Sequence, residues 1–131
     1  QSNYLKTSKT VAMVGLSDRE DRASFRVARF LKKKGFKVVP VNPTVRSVLG
    51  EKAYPDLLSI PKSIKIDIVD VFRTPDQVIP HIKEAAKRGD VKTVWLPEGV
   101  GTEEAEEYVL SSKMNLVSNF CIMESYKRLI D

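Results

Sequence analysis

What this chain has least of narrows it first. One cysteine among 131 residues cannot make an internal disulfide, so crosslinks do not hold the fold, and the simplest compartment is the cytoplasm. No apolar run approaches the ~20 residues of a membrane span, so no membrane role is expected. Gln1 to Lys9 is polar and lacks the apolar core of a secretory signal. Aromatic residues, at 8%, hardly interleave with the basic clusters, and neither an RNA-recognition pattern nor a zinc-finger pattern is present, which makes nucleic acid a minor hypothesis. The P-loop pattern is missing too.

What is there describes an ordinary globular protein, 42% hydrophobic and 30% charged, with room for one domain over residues 1–131 in which 1–9 form a polar N-terminal segment. The formal charge of +5 favours anionic partners, phosphorylated metabolites among them. Lys32-Lys-Lys34 is the densest basic run, but it falls at the end of a predicted helix, where cations complement the dipole.

The chain is organised around Thr10-Val-Ala-Met-Val-Gly-Leu-Ser17, an uninterrupted apolar run too short for a helix and suited to a strand covered on both faces. Gly15 lets the backbone turn sharply or lets N–H groups approach an anion. Ser24 is placed to cap a helix reaching about Lys34, with Val27, Ala28, Phe30 and Leu31 inward and Gly35 as its stop. Phe36 to Val41 reads as a second strand in which Pro40 must sit where no N–H donor is needed, and Asn42-Pro43 turns the chain away. Thr44 to Ile64 reads as a connection with one short strand near Ala53 and one short helix. Ile66 to Val71 is a third strand, Pro75 opens a helix over about 75 to 88, and Gly89 stops it. Val91 to Leu96 is a fourth strand, Thr102 caps an acidic helix to about Ser111, Leu116-Val117 anchors a fifth strand, and Cys121 to Leu129 can form a closing helix.

That rhythm predicts an α/β fold: a Rossmann-like, doubly wound, five-stranded parallel sheet with helices on both faces and strand order 3-2-1-4-5. Ligands of such sheets bind beyond the carboxyl ends of the strands where strand order reverses, here between strands one and four. A dinucleotide is a poor fit. No second or third glycine follows Gly15 at the required spacing, and strand two ends in Asn42-Pro43 rather than an acid for the ribose. A phospho-receiver domain should show paired acids where this chain has Gly15 and Leu16. Of the helix N-termini, the one after strand four is loaded with Glu103, Glu104, Glu106 and Glu107 and would repel phosphate, whereas the first helix opens with Ser24 and Arg26 behind Arg19 and Arg22.

Several motifs in one order carry a resemblance: Val-Gly-Leu-Ser17, Ser24-Phe-Arg26, Val-Pro-Val-Asn-Pro43, Tyr54-Pro55, Asp70-Val-Phe-Arg73, Val-Trp-Leu-Pro-Glu-Gly99 and Asn119-Phe-Cys121. Together they resemble the small stand-alone CoA-binding proteins, relatives of the CoA-binding domain in the alpha subunit of succinyl-CoA synthetase and in ADP-forming acyl-CoA synthetases, from about Thr10 to Leu129. The resemblance implies coenzyme A or an acyl-CoA as the ligand. It places Gly15, Leu16 and Ser17 on the pyrophosphate with Ser24 and Arg26 nearby, and Asn42 and Pro43 along the nucleotide with Arg46 as a phosphate partner. It sets Phe72 and Arg73 at the border of the cofactor, and Leu96, Pro97, Glu98 and Gly99 beside the pantetheine or adenine. Many relatives carry glutamine where Pro97 stands, and the synthetases add domains and a phosphorylated histidine that this sequence does not contain.

Taken singly, Trp95 and Phe72 are better core residues than stacking platforms. His81, behind Pro80, suits a surface or partly packed position, and Glu98 would meet a hydroxyl or amide rather than a phosphate. Ser17 has no histidine or acid placed to activate it, and no catalytic constellation is visible. Cys121, at a helix start, is a candidate thiol site near the CoA thiol. The expected function is non-covalent CoA or acyl-CoA binding, and the alternative is a detached subunit of an acyl-CoA ligase or of a CoA-dependent redox enzyme. A homo-oligomer or a ligase partner subunit is compatible with either.

Overall fold

A computed structural model describes residues 1–131 and is an α/β sandwich, as the rhythm of the sequence predicts. Helix α1 (Ser2–Thr7) leads into β1 (Thr10–Val14), and α2 (Ala23–Lys33) into β2 (Lys37–Val41). A small hairpin of β3 (Ser47–Val48) and β4 (Glu51–Lys52) precedes β5 (Ile68–Val71). Then come α3 (Ile79–Arg88), β6 (Thr93–Leu96), α4 (Glu103–Ser111), β7 (Asn115–Ser118) and α5 (Ile122–Leu129). The five main strands are all parallel, in the order β2-β1-β5-β6-β7.

Strand residues alternate between the two faces, which is why the strands read as continuous apolar runs. Ala12, Val14, Val69, Val71, Val94 and Leu96 face α3 and α4 through Ile82, Ala85, Ala105 and Val109. Val11, Met13, Ile68, Trp95 and Val117 face α2 and α5 through Phe25, Ala28, Leu31 and Ile122. Leu5 joins that second layer, so the polar N-terminal segment contains a helix whose one buried side chain docks it.

Counting only the main strands, the order is 2-1-3-4-5, which corrects the expected 3-2-1-4-5. Pro40 supplies the reason. Its carbonyl points away from β1 and accepts the N–H of Tyr54 at 3.0 Å, so the side of β2 away from β1 lacks one donor in mid-strand. A full parallel partner there would lose a ladder bond. That edge instead takes a single bridge, Val41 to Tyr54, and the chain returns past β1 to lay β5 on its other side. Strand order therefore reverses between the first and third main strands, β1 and β5, not between the first and fourth.

Other expectations shift locally. Ser24 is not the cap of α2; Arg22 holds that position without a side-chain cap, and the Ser24 hydroxyl accepts the Ser17 N–H at 3.1 Å. The helix expected over 75–88 is a 3₁₀ turn, Pro75–Gln77, followed by α3, because Pro80 can be accommodated only in the first turn of an α-helix. Around Ala53 the structure forms the β3–β4 hairpin. The 57–64 stretch is irregular, and buried Arg88 holds it: its Nη1 donates to the carbonyls of Leu57 and Ile60 at 3.0 and 2.7 Å, and its Nη2 to that of Ile64 at 3.0 Å. Gly89 does end α3, at φ 85°, and the Thr102 hydroxyl does cap α4 by accepting the Ala105 N–H at 3.2 Å.

Candidate functional site

At the carboxyl ends of the strands lies a cleft of about 780 Å³ lined by residues from four loops and one helix start. The loop after β1 gives Gly15, Ser17, Asp18, Arg19 and Arg22, and α2 gives Ala23 and Ser24. Asn42, Thr44 and Val45 follow β2, Phe72, Arg73, Thr74 and Gln77 follow β5, and Pro97, Glu98 and Val100 follow β6. A smaller hollow of about 220 Å³ sits at the opposite, amino edge of the sheet, between α1 and α5. The larger cleft is where a doubly wound sheet presents its ligand, and it spans the β1/β5 reversal.

Gly15 closes the floor. At φ 80°, an added Cβ would stand 2.2 Å from the carbonyl oxygen of Phe72, so only glycine lets the two loops touch. The N–H of Gly15 donates to Val41, tying the β1 exit to β2. Asn42 ties it again: its Nδ2 donates to the Leu16 carbonyl at 3.0 Å, while its Oδ1 accepts the N–H and hydroxyl of Thr44 at 2.9 and 2.7 Å. The Pro97–Gly101 loop is held by Asn119, at φ 65°, whose Oδ1 accepts the N–H groups of Gly99 and Gly101 at 3.1 and 3.0 Å.

The two helix starts compared in the sequence differ in charge as expected: α4 has three glutamates in its first turn and α2 has none. They differ also in capping, against the expectation for Ser24: α4 has a side-chain cap and α2 has none. The first N–H groups of α2 thus remain available at the cleft with the positive end of the dipole, beside Arg19, Arg22 and Arg73. Arg19 also pairs with Asp21 at 3.1 Å on the surface, which offsets part of its charge.

Of the residues singled out by sequence, Gly15, Ser17, Ser24, Asn42, Phe72, Arg73, Pro97 and Glu98 line the cleft together. Leu16 and Leu96 are fully buried, so only their backbone can meet a ligand. Pro43, Arg46 and Gly99 are exposed and stand outside the lining, as does Arg26, whose Nη1 donates to the Asp21 carbonyl at 2.8 Å. Cys121 is half-buried at the start of α5, packed against the second core layer and outside the lining as well. Trp95 is core, its indole N–H donating to the Phe120 carbonyl at 2.9 Å, while Phe72 is half-buried at the cleft. Sequence reasoning missed Gln77 and Thr44. Gln77 hides in an ordinary helix start, and only folding brings it to Arg73; for Thr44, the Asn-Pro-Thr spacing of an Asx turn was a readable signal.

Residues 9–127 match the family model described as CoA binding domain. The chain belongs to the CoA-binding domain family. Within it, this CoA-binding domain is 37% identical over 118 residues to YneT of Bacillus subtilis, covering 90% of this chain and 85% of that one. It is 33% identical over 102 residues to the ADP-forming acetate–CoA ligase II of Archaeoglobus fulgidus, a match that takes in 76% of this chain but 15% of the ligase. Among solved structures, a Pyrococcus horikoshii protein superposes with a TM-score of 0.94 at 34% identity over 99% of this chain and 89% of that one. The dinucleotide-forming acetyl-coenzyme A synthetase 1 of Ca. Korarchaeum cryptofilum, in complex with phosphate and ADP, superposes at 0.76 and 28% identity over 90% of this chain and 27% of the synthetase. No helix of the domain is long and apolar enough to cross a membrane.

Proposed function

We propose that this CoA-binding domain holds coenzyme A or an acyl-CoA non-covalently in the carboxyl-edge cleft. The observation that carries the reading is the coincidence, in one cleft, of the uncapped start of α2 with Arg73 across the β1/β5 reversal. The volume supports it, since cofactor sites run from roughly 300 to 1,000 Å³ and this one is about 780 Å³. In this reading the backbone at Gly15, Leu16 and Ser17 and the first turn of α2 take the pyrophosphate. Asn42 and Pro43 border the nucleotide, with Arg46 reaching in from the rim, and Phe72 and Arg73 wall the cofactor. Backbone at Leu96 and Gly99, with Pro97 and Glu98, flanks the pantetheine or adenine, Glu98 meeting a hydroxyl or amide. The cytoplasm, where CoA and a free thiol coexist, is the matching compartment.

Cys121 extends the proposal: its thiolate attacks the disulfide of oxidised CoA, forms a protein–CoA mixed disulfide and releases one CoA thiolate. Incubation with oxidised CoA and intact mass spectrometry under non-reducing conditions reads the adduct directly, and an unmodified Cys121 removes this part of the reading.

Calorimetry with CoA tests the site. Binding by the native protein is expected, with Arg73→Ala weakening it about tenfold or more, the scale of a lost charge-assisted phosphate contact, at unchanged thermal stability. No heat at saturating CoA, or equal affinity in the variant, overturns the assignment. A ligase role has support in the ADP-forming acetate–CoA ligases among the relatives, and turnover of a carboxylic acid, CoA and nucleotide with candidate partner chains distinguishes it from binding alone.

A further inference from the structure

Beyond Arg73 stand side chains that the cofactor reading leaves unused. Arg73 donates from Nε and Nη2 to the Oε1 of Gln77, at 3.2 and 2.7 Å, so its guanidinium is braced while Nη1 makes no hydrogen bond. Four residues beyond Gln77, in the first turn of α3, stands His81, the single histidine of the chain. Its Nδ1 is shut off from solvent, makes no hydrogen bond, and lies 3.7 Å from Glu84 Oε1.

The charged groups around this imidazole come from three elements: Arg73 from the loop after β5, Glu84 from α3 itself, and Asp56, acting on Glu84, from the segment ahead of β5. Burial first, and then the Arg73 charge, hold the imidazole below its ordinary range. Burial and the Asp56 charge raise the Glu84 carboxyl, against a hydrogen bond from the Leu57 backbone, so the acid beside His81 is itself reluctant to ionise.

We propose that Gln77 positions Arg73 and that His81 tunes it, so that the cleft holds a polyphosphate ligand more tightly in mildly acidic than in mildly alkaline solution and draws a proton onto His81 as the ligand binds. The proposal rests on the reading of the cleft as the CoA site. Two neighbouring cations repel, and a phosphate laid on Arg73 cancels the charge that His81 feels. The imidazole then takes its proton more readily, and by reciprocity a protonated imidazole strengthens the hold on the phosphate. A change of half to one pKa unit equals roughly three- to tenfold in affinity. The ligand's own phosphate monoester, titrating near pH 6, works in the opposite direction, so the imidazole itself must be observed.

A chain with one histidine gives one imidazole resonance, and its NMR titration decides the matter. Without ligand, Arg73→Gln and Gln77→Glu, which remove or neutralise the guanidinium charge, are both expected to raise the imidazole pKa. Saturating CoA, and inorganic pyrophosphate as a second probe, are expected to raise it by about half to one unit in the native protein. In parallel calorimetry, CoA affinity of the native protein should gain relative to His81→Gln as pH falls from about 8, the gain approaching roughly three- to tenfold once pH is below the imidazole pKa of the ligand-free protein. An imidazole unmoved in Arg73→Gln overturns the coupling. CoA binding with the imidazole unmoved overturns it also and leaves the CoA assignment standing. An imidazole that responds to Arg73→Gln in a protein that binds pyrophosphate but not CoA overturns the CoA assignment and keeps the coupling.

Discussion

Gly15 and Phe72 touch backbone to backbone: the place of a Cβ on Gly15 lies 2.2 Å from the Phe72 carbonyl oxygen, and the Phe72 N–H donates to Val14 at 2.8 Å. The β1 and β5 exits are thereby fixed against each other. Because Gly15 is also at φ 80°, Gly15→Ala carries both a clash and left-handed strain. It is expected to destabilise the fold by about 2–4 kcal/mol and to abolish CoA binding. Urea denaturation monitored by Trp95 fluorescence measures the first, and a midpoint within error of the native protein would contradict the contact.

Arg88 serves a part of the chain remote from the cleft. Its buried guanidinium satisfies three carbonyls of the irregular 57–64 stretch and pairs with Asp90 at 2.9 Å. Arg88→Met takes the guanidinium from those carbonyls and leaves Asp90 only the Ile66 N–H, and is expected to cost about 3–5 kcal/mol. At temperatures where the variant is folded, CoA affinity should stay within about twofold, a shift near the ±0.5 kcal/mol of a remote substitution.

Asp70 sits in β5 beside Met13 and Trp95, fully buried and without a hydrogen-bond partner for either oxygen. Burial pushes its carboxyl well above the ordinary range, so the folded state holds this proton at pH values where the unfolded chain, ionising near 3.9, has lost it. The associated stability is fully present below about pH 3.9 and is lost progressively as pH rises through the folded-state pKa. Asp70→Asn should flatten this fall, so that the variant gains on the native protein as pH rises from about 4. Denaturation midpoints across pH check it, and parallel profiles would contradict the assignment.

Asp90 works in the opposite window. Burial alone would raise its carboxyl, but the Arg88 hydrogen bonds and charge and the Ile66 N–H outweigh it and hold the group below the ordinary range. Its contribution is present above about pH 3.9 and is lost as pH falls through the depressed folded pKa. Asp90→Asn should therefore lose stability relative to the native protein at neutral pH and converge with it in strong acid.

Asn119 joins the β7 exit to the Pro97–Gly101 loop through two N–H groups. Asn119→Ala is expected to destabilise by about 1–3 kcal/mol and to weaken CoA binding several-fold by loosening Pro97 and Glu98. Amide exchange at Gly99 and Gly101 reads the loss, and unchanged protection there would contradict the role.

The element sequence, its parallel sheet and the edge that carries the cleft were legible from local patterns. Apolar runs ended by Gly15, Gly35 and Gly89 and capped by Thr102 report short-range geometry, which one chain segment decides alone. The family resemblance was legible for the same reason, since the motifs after each strand lie at fixed distances along the chain. Strand order was decided only in three dimensions. Pro40 announces a missing donor, but whether that donor faces β1 or the edge depends on register, and the edge position of β2 follows from it. The Arg88 contacts with 57–64 and the isolation of Asp70 likewise depend on side chains meeting across loops and layers. No spacing along the sequence encodes such meetings, because they are consequences of packing, not of local propensity.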